Sequence, residues 1–575
     1  MGTKRQPGKE QQKSHRAQPA AQATPPLAAR CLAFLERRGL AISVALVLIA
    51  SIRIVATYAV FSHTCDEPAH IASGMQWLDQ GVYRWDPKHP PLARVAMALG
   101  PYLLGIRSQG TVDRNPFSIF SEGTAILYRD HHYDLTLALA RLGILPFFWI
   151  GCLVVYWWGK RYFGAAVGAL GVFLFSFLPP VLAHAGLATN DMALTAFLGA
   201  AFLTGLVWIE EPTRVHAIWF GASSGLMVLS KSSCLVFFPA SVALALAWYL
   251  YSERPKIAWL ARAARERLPS FGLAVLVACL LIWAGYRFSF GKVEFANLRL
   301  PAPELFRGIQ QMIEHNARGH AGYLLGQRSE TGWWYFFEVA LGVKTPLAFL
   351  ALLGFGVTLA IRRRDRLQRA WLPAMFAGGI LLVGMFTRIN IGLRHVLPVY
   401  VGFAVLAALA VVRLLELAET RKWVRIALPL LLVWLAGSSL WSHPDYLAYF
   451  NELGGSEPEK ILVDSDLDWG QDVKRLARRL HEVGAREVAF QQVFVADLER
   501  EHGFPPIRGK VDVLNPSPGW NAVEVTGWKE TRMGLGDRYP KAILWPDRIQ
   551  PLERIGKSIL LYYFPYPAEG RAERP

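Results

Sequence analysis

Eleven runs of mostly apolar residues divide this chain, at about 41–61, 136–158, 163–183, 191–209, 215–230, 234–252, 270–287, 336–361, 371–387, 394–414 and 424–441. A hydrocarbon core about 30 Å thick is crossed by roughly 17–25 helical residues, which is the length of most of these runs. Inside a bilayer every backbone N–H and C=O must be satisfied within the segment, so such runs can only be helices or a closed barrel. The runs are too long and too continuous for barrel strands, so the sequence predicts a mainly α protein, a polytopic transmembrane helical bundle of about eleven spans. The composition agrees: 53% of the 575 residues are hydrophobic and 18% charged, against about 25% charged in a soluble domain. A shorter run, 91–106, reads as a helix lying at the membrane interface.

The net charge of +17 is distributed as the positive-inside rule requires. With a cytoplasmic amino terminus, Lys160/Arg161, the group Arg254, Lys256, Arg262, Arg265 and Arg267, the group Arg362, Arg363, Arg364, Arg366 and Arg369, and the group Arg413, Arg421, Lys422 and Arg425 all fall on one side. The loss of one span would scatter them, so the clusters support an odd count. They also assign the basic balance to topology and exclude nucleic acid as a partner. The first 38 residues, rich in Lys, Gln, Pro and Ala, read as a disordered basic cytoplasmic tail. A cleaved signal peptide is not expected, because 41–61 is a full span. The transmembrane domain covers 39–442, with large outer loops at 63–135 and 288–335. Residues 443–575 read as a small extracytoplasmic α/β domain, with strands over Lys460–Asp464 and Arg486–Val495 and a helix over 471–483 carrying Val473, Leu476, Leu480 and Val483 on one stripe. The five cysteines have no metal-ligand spacing and no disulfide is expected.

Chemistry gathers at the outward ends of the spans. The first outer loop opens with Cys65-Asp66-Glu67-Pro68-Ala69-His70, and carboxylates at the hydrocarbon boundary are costly unless they cap a helix or act. Tyr83-Arg84-Trp85-Asp86-Pro87-Lys88-His89-Pro90-Pro91-Leu92 follows, a rigid turn carrying cationic donors. Other outward ends carry Thr189-Asn190-Asp191, Lys231, Arg388 and Arg394-His395, and Lys344-Thr345-Pro346 lies within a span. Brought together they make a cationic, acid-containing cavity suited to an anionic lipid head group. Asp464-Ser465-Asp466-Leu467-Asp468 has the first spacings of a calcium loop, but Trp469 and Arg475 stand where glycine and glutamate are needed. It reads as a strand-end turn capping the helix that starts near Gln471.

In order along the chain, Asp66-Glu67, His89-Pro90-Pro91-Leu92, Thr189-Asn190-Asp191, Leu229-Ser230-Lys231, Gly332-Trp333-Trp334-Tyr335-Phe336-Phe337, Lys344-Thr345-Pro346-Leu347 and Gly392-Leu393-Arg394-His395-Val396-Leu397-Pro398 form a pattern over about 40–442. It resembles the lipid-carrier-dependent glycosyltransferases of the C superfamily, in the branch of bacterial protein O-mannosyltransferases and aminoarabinose transferases. The resemblance implies a plasma-membrane enzyme with a polyprenyl-phosphate sugar donor and a protein, lipid or glycan acceptor. It implies an acidic base in the first outer loop, a position that Asp66 matches with Glu67 beside it. His89, Asp191, Lys231, Lys344, Arg388, Arg394 and His395 are the expected substrate-binding residues; His89 stands where relatives often carry lysine. Some relatives need a divalent metal, for which Asp66, Glu67, His70 and Asp191 are candidate ligands. The other reading is a polytopic transporter or flippase, which would show repeated halves with broken helices; no such repeat is evident.

Overall fold

The computed structural model describes residues 2, 26–362, 369–490, 498–536 and 543–566. All eleven apolar runs are helical. Seven helices have the length and hydropathy to cross a membrane: Leu27–Ala56, Tyr133–Phe163, Asp191–Glu210, Cys234–Glu253, Ile257–Gly285, Val399–Ala418 and Lys422–Trp441. Two bent helix pairs reach the same length and hydropathy together, Ala165–Ser176 with Pro179–Ala185 at 72° and Phe336–Lys344 with Leu347–Ile361 at 120°. Arg214–Ser230 and Trp371–Gly384 are shorter, at 17 and 14 residues. The expected straight span over 336–361 is therefore corrected to a broken one. Proline disfavours helix at the residue before it, and Thr345, preceding Pro346, is extended at φ −103°, ψ 133°. The run at 394–414 becomes helical only at Val399, after a 3₁₀ turn over Leu393–Val396 that leaves Arg394 and His395 outside the span.

The helix Val399–Ala418 is the axis of the bundle, with Val399–Val411 almost wholly buried. By contrast Ile52 is 70% exposed, Ile426 67% and Val433 68%, on helices that line the outside. Apolar surface of that extent requires hydrocarbon rather than water, and the chain is a multi-pass membrane protein. The first helix starts at Leu27, so 27–38 is not the disordered tail expected there. Glu36 has a structural role: its carboxylate accepts the N–H groups of Ala165 (2.9 Å) and Ala166 (3.0 Å), donors left open at a helix start. The rest of the expected tail, and Arg363, Arg364 and Arg366, lie outside the described residues.

The long segment 63–135 is folded into helices Glu67–Met75, Pro91–Leu103 and Ser118–Leu127; the second falls on the run 91–106 expected to be helical. These pack with their backbones nearly touching. A Cβ on Gly74 would meet the Arg94 carbonyl at 1.9 Å, and one on Gly123 the Pro68 carbonyl at 1.9 Å. Segment 288–335 holds two short antiparallel hairpins, Phe290–Val293 with Leu298–Pro301 and Gly322–Leu324 with Gln327–Ser329, around the helix Pro303–Arg318.

The carboxy-terminal region is the expected α/β domain. Its sheet runs, in spatial order, Ile507–Gly509, Val488–Phe490, Gly519–Glu524, Ile559–Phe564 and Glu553–Ile555; the first two pairings are parallel, the last two antiparallel. Helix Val473–Glu482 buries Val473, Leu476, Ala477 and Leu480 against it, as the stripe predicts. Two expectations are corrected. Lys460–Asp464 is not a strand but joins 3₁₀ turns at Pro458–Lys460 and Asp464–Asp466. Its Leu462 packs into the membrane core and its Val463 into the domain core, so the segment is the seam between them. Nor does the Asp464–Asp466 turn cap the following helix, whose N-cap position is Asp472. Of the expected strand at Arg486–Val495, Val488–Phe490 forms, and 491–497 lies outside the described residues.

Candidate active site

Asp66 occupies the N-cap position of helix Glu67–Met75 without capping it by a side-chain hydrogen bond. Its carboxylate is 31% exposed and accepts the Arg394 Nη1 donor at 3.0 Å. Glu67, the next residue, points the opposite way. It is fully buried, takes both Arg141 donors at 2.8 Å, and accepts the N–H groups of Thr64 (2.7 Å) and Ala188 (2.8 Å). All of its accepting capacity is used. Successive residues on a helix lie about 100° apart, so one acid meets the cavity and the other the protein interior.

The Arg394 guanidinium carbon sits over the Trp469 ring, 4.3 Å from its centre, and its Nε donates to Ser465 Oγ at 3.2 Å. Its Nη1 stands between Asp66 and Asp191, the latter at 3.9 Å. Asp191 is buried in the first turn of its helix, where the positive helix end favours a carboxylate. It accepts Lys231 Nζ at 2.6 Å, and its second oxygen has no hydrogen-bond partner. The result is an alternating row, Asp66, Arg394, Asp191, Lys231, drawn from four separate segments.

Asp66, Arg394 and Lys231 of this row line a cavity of about 630 Å³, with Asp191 behind them. His70, Lys88, His89, Arg94 and His395 add polar groups to its lining, and Met312, Ile313, Val383 and Phe386 apolar ones. Arg94 is fully buried and donates to His70 Nδ1 (3.0 Å), Ser73 Oγ (3.0 Å) and the Asp86 carboxylate (2.7 Å), which locks the turn carrying Lys88 and His89. Burial, reinforced by the Arg94 guanidinium, holds the His70 and His89 imidazoles well below their ordinary values, so both are neutral. His89 Nδ1 and His395 Nε2 are buried without a partner. Buried polar atoms normally find one, so two unmatched imidazole nitrogens on one cavity wall mark a place for a polar ligand.

Two expected substrate residues are elsewhere. Lys344 is buried away from the cavity wall, donating to the carbonyls of Leu447 (2.7 Å) and Asp466 across the Phe450 ring. Arg388 is exposed and donates to the Ala317 carbonyl at 3.2 Å, near the end of helix Pro303–Arg318. The expected metal set is not assembled either: Glu67 is held by Arg141 and His70 Nδ1 by Arg94. Among the described residues no three His, Cys, Asp or Glu side chains are grouped to hold an ion. Sequence reasoning missed Arg94, Arg141, Ser465 and Trp469. Arg94 and Arg141 each carried a signal, as the lone charge inside the apolar runs 91–106 and 136–158; Ser465 and Trp469 carried none.

No protein-family model matches the chain, and no curated protein matches it. Solved structures do. ArnT from Cupriavidus metallidurans in the apo state is 14% identical, covers 90% of this chain and 97% of its own, and superposes with a TM-score of 0.50. The same protein bound to undecaprenyl phosphate gives 0.49 at the same identity and coverage. The oligosaccharyltransferase AglB from Archaeoglobus fulgidus, in complex with an inhibitory peptide and a dolichol-phosphate, is 12% identical over 71% of this chain and 56% of its own, with a TM-score of 0.42. The chain thus has the polytopic fold of ArnT over 90% of its length, as the motif resemblance implied.

Proposed function

We propose that the chain is a membrane glycosyltransferase that moves a hexose or pentose from a polyprenyl-phosphate carrier to an acceptor on the extracytoplasmic face, with Asp66 as base. The observation that carries this reading is the cavity itself. Its lining presents Arg394, Lys231, Lys88 and two unmatched imidazoles beside a partly exposed carboxylate, together with the apolar Met312, Ile313, Val383 and Phe386. A phosphate joined to an isoprenoid chain needs both kinds of partner. The fold shared with ArnT, an aminoarabinose transferase of the C superfamily, supports the same assignment.

In this mechanism the cationic wall grips the donor phosphodiester and holds its anomeric carbon near Asp66. An acceptor hydroxyl attacks that carbon from the face opposite the phosphate. Its proton passes to the Asp66 carboxylate, the bond from the anomeric carbon to the phosphate oxygen breaks, and lipid phosphate leaves, its charge offset by Arg394 and Lys231. A single displacement inverts the anomeric centre. Asp191, fixed by Lys231 and the helix end, holds Arg394 from behind. The basic clusters support an amino terminus in the cytoplasm and a carboxy-terminal domain on the opposite face, which in this reading is the outside of the plasma membrane.

The test is mass spectrometry of glycolipids and glycoproteins from cells with and without the gene, paired with native mass spectrometry of the purified protein with polyprenyl phosphate. The reading predicts a missing glycan and a bound lipid. An unchanged glycan profile with altered solute uptake would contradict it in favour of transport.

A further inference from the structure

A second cleft, of about 290 Å³, opens beside the cavity. It lies between the hairpin Gly322–Ser329, the 389–391 segment and the carboxy-terminal domain, and Ile391 is common to both walls. Asp464 and Glu530 line it with Tyr323, Phe336 and Asn390. Arg328, the cation on its wall, is already paired with Glu330 at 2.5 Å.

Several observations mark this cleft as built to hold a ligand. Asp464 has a left-handed backbone at φ 56°, a conformation that costs a non-glycine residue energy. It is fixed there by its N–H donating to Thr526 Oγ1 at 3.0 Å. Asn390 is completely buried, yet only its oxygen is engaged, accepting Trp333 N–H at 2.6 Å; its Nδ2 has no acceptor. An amide donor left open in a cleft wall, independent of the two acids, is a polar group waiting for a partner. The cleft also communicates with the reaction centre: Ser465, next to Asp464, donates to the Ile391 carbonyl at 2.5 Å and accepts from Arg394, which holds Asp66.

The geometry points to this cleft as the acceptor subsite, taking an uncharged carbohydrate whose hydroxyl is led past Asp464 towards Asp66. The inference rests on the transferase reading and names its acceptor class. Planar carboxylates and an amide, set among aromatic rings, match the paired hydroxyls and apolar faces of a sugar ring. The volume is at the lower end of ligand pockets, about 300–1,000 Å³, which suits one sugar unit rather than a folded partner. Two carboxylates with the one guanidinium already paired oppose a phosphorylated acceptor. Burial pushes the Asp464 carboxyl up to about 7, so it can both donate and accept towards hydroxyls near neutrality.

Saturation-transfer NMR on the purified full-length protein tests this, with methyl glycosides of common hexoses and pentoses as neutral probes and hexose 1-phosphates as anionic ones. The expected result is binding of at least one neutral glycoside, with hexose 1-phosphates silent. Glu530→Gln, at an exposed position of helix Val525–Gly536, and Asp464→Asn, which tolerates the left-handed backbone, should each weaken that binding about tenfold. Undecaprenyl-phosphate binding, followed by native mass spectrometry, should be retained by both. Absence of glycoside binding, equal binding by both variants, preference for the phosphorylated probe, or displacement of the glycosides only by a Ser/Thr peptide would each overturn the acceptor assignment while leaving donor binding intact. Loss of undecaprenyl-phosphate binding by the wild type would instead overturn the transferase reading.

Discussion

Adjacent residues in this chain have opposite fates, and the clearest pair is Asp66 and Glu67. The sequence marked both as acids at a membrane boundary, but which one faces the cavity depends on how the helix is rotated against its neighbours. That rotation is set by Arg141 and Ala188, which lie 74 and 121 positions away in the chain, beyond anything a local motif can carry. The consequence is testable. Removing one partner of a buried ion pair leaves an uncompensated charge and costs about 3–5 kcal/mol, so Glu67→Gln should lower thermal stability sharply, and the fraction that folds should still turn over. A normal melting temperature with abolished turnover would return Glu67 to the chemistry. His89 gives a second residue-scale prediction. Burial and Arg94 keep it neutral when the site is empty, and a bound phosphate favours the protonated ring. Donor binding then takes up a proton, so affinity should strengthen as pH falls from about 7 to about 5, through the histidine range, and His89→Gln should flatten that slope. An unchanged slope in the variant would remove His89 from the phosphate grip.

At the scale of elements, the helical identity of every apolar run was legible, because hydrophobic length and the need to satisfy the backbone leave few alternatives. Where those helices break was not. Lys344-Thr345-Pro346 reads as lying within a single span, and the family resemblance implies a substrate-binding role for the lysine. The 120° bend instead turns Lys344 towards the Asp464–Asp466 seam, where it satisfies carbonyls of the carboxy-terminal region. Lys344→Met should therefore loosen the contact between domain and bundle, seen as faster proteolysis near 445–470, and leave polyprenyl-phosphate affinity within about twofold. Arg394→Ala should do the reverse. It removes a charge-assisted contact of about 1.5–3 kcal/mol from the donor site, which corresponds to a loss in affinity of roughly tenfold or more. Equal effects of the two substitutions on affinity would contradict the separation of structural from binding cations. The seam itself reads as a strand because Ile461-Leu462-Val463 is a short β-branched-rich apolar run bounded by charges. Ile461 and Leu462 face the membrane core and Val463 the domain core, a division between two cores that a short apolar run does not reveal.

For the whole molecule, the basic clusters and the long helices imply one topology. Reporter fusions after residue 418 should read cytoplasmic and those after 575 exterior. A cytoplasmic reading at 575 would put the acceptor cleft on the wrong side of the membrane. The site unites four segments of a chain of 575 residues, and its parts were recognisable in sequence only as an ordered series of short motifs. The fold supplies what the series lacks, a single cavity in which one carboxylate remains available. The most direct measurement is single-turnover release of polyprenyl phosphate by purified wild type and Asp66→Asn, at matched donor occupancy. Asn keeps the shape and the hydrogen bond to Arg394 while losing the basicity, and a positioned base is worth about 10²–10⁴-fold in rate. The account predicts a loss in that range with donor binding preserved; turnover near that of the wild type would contradict it.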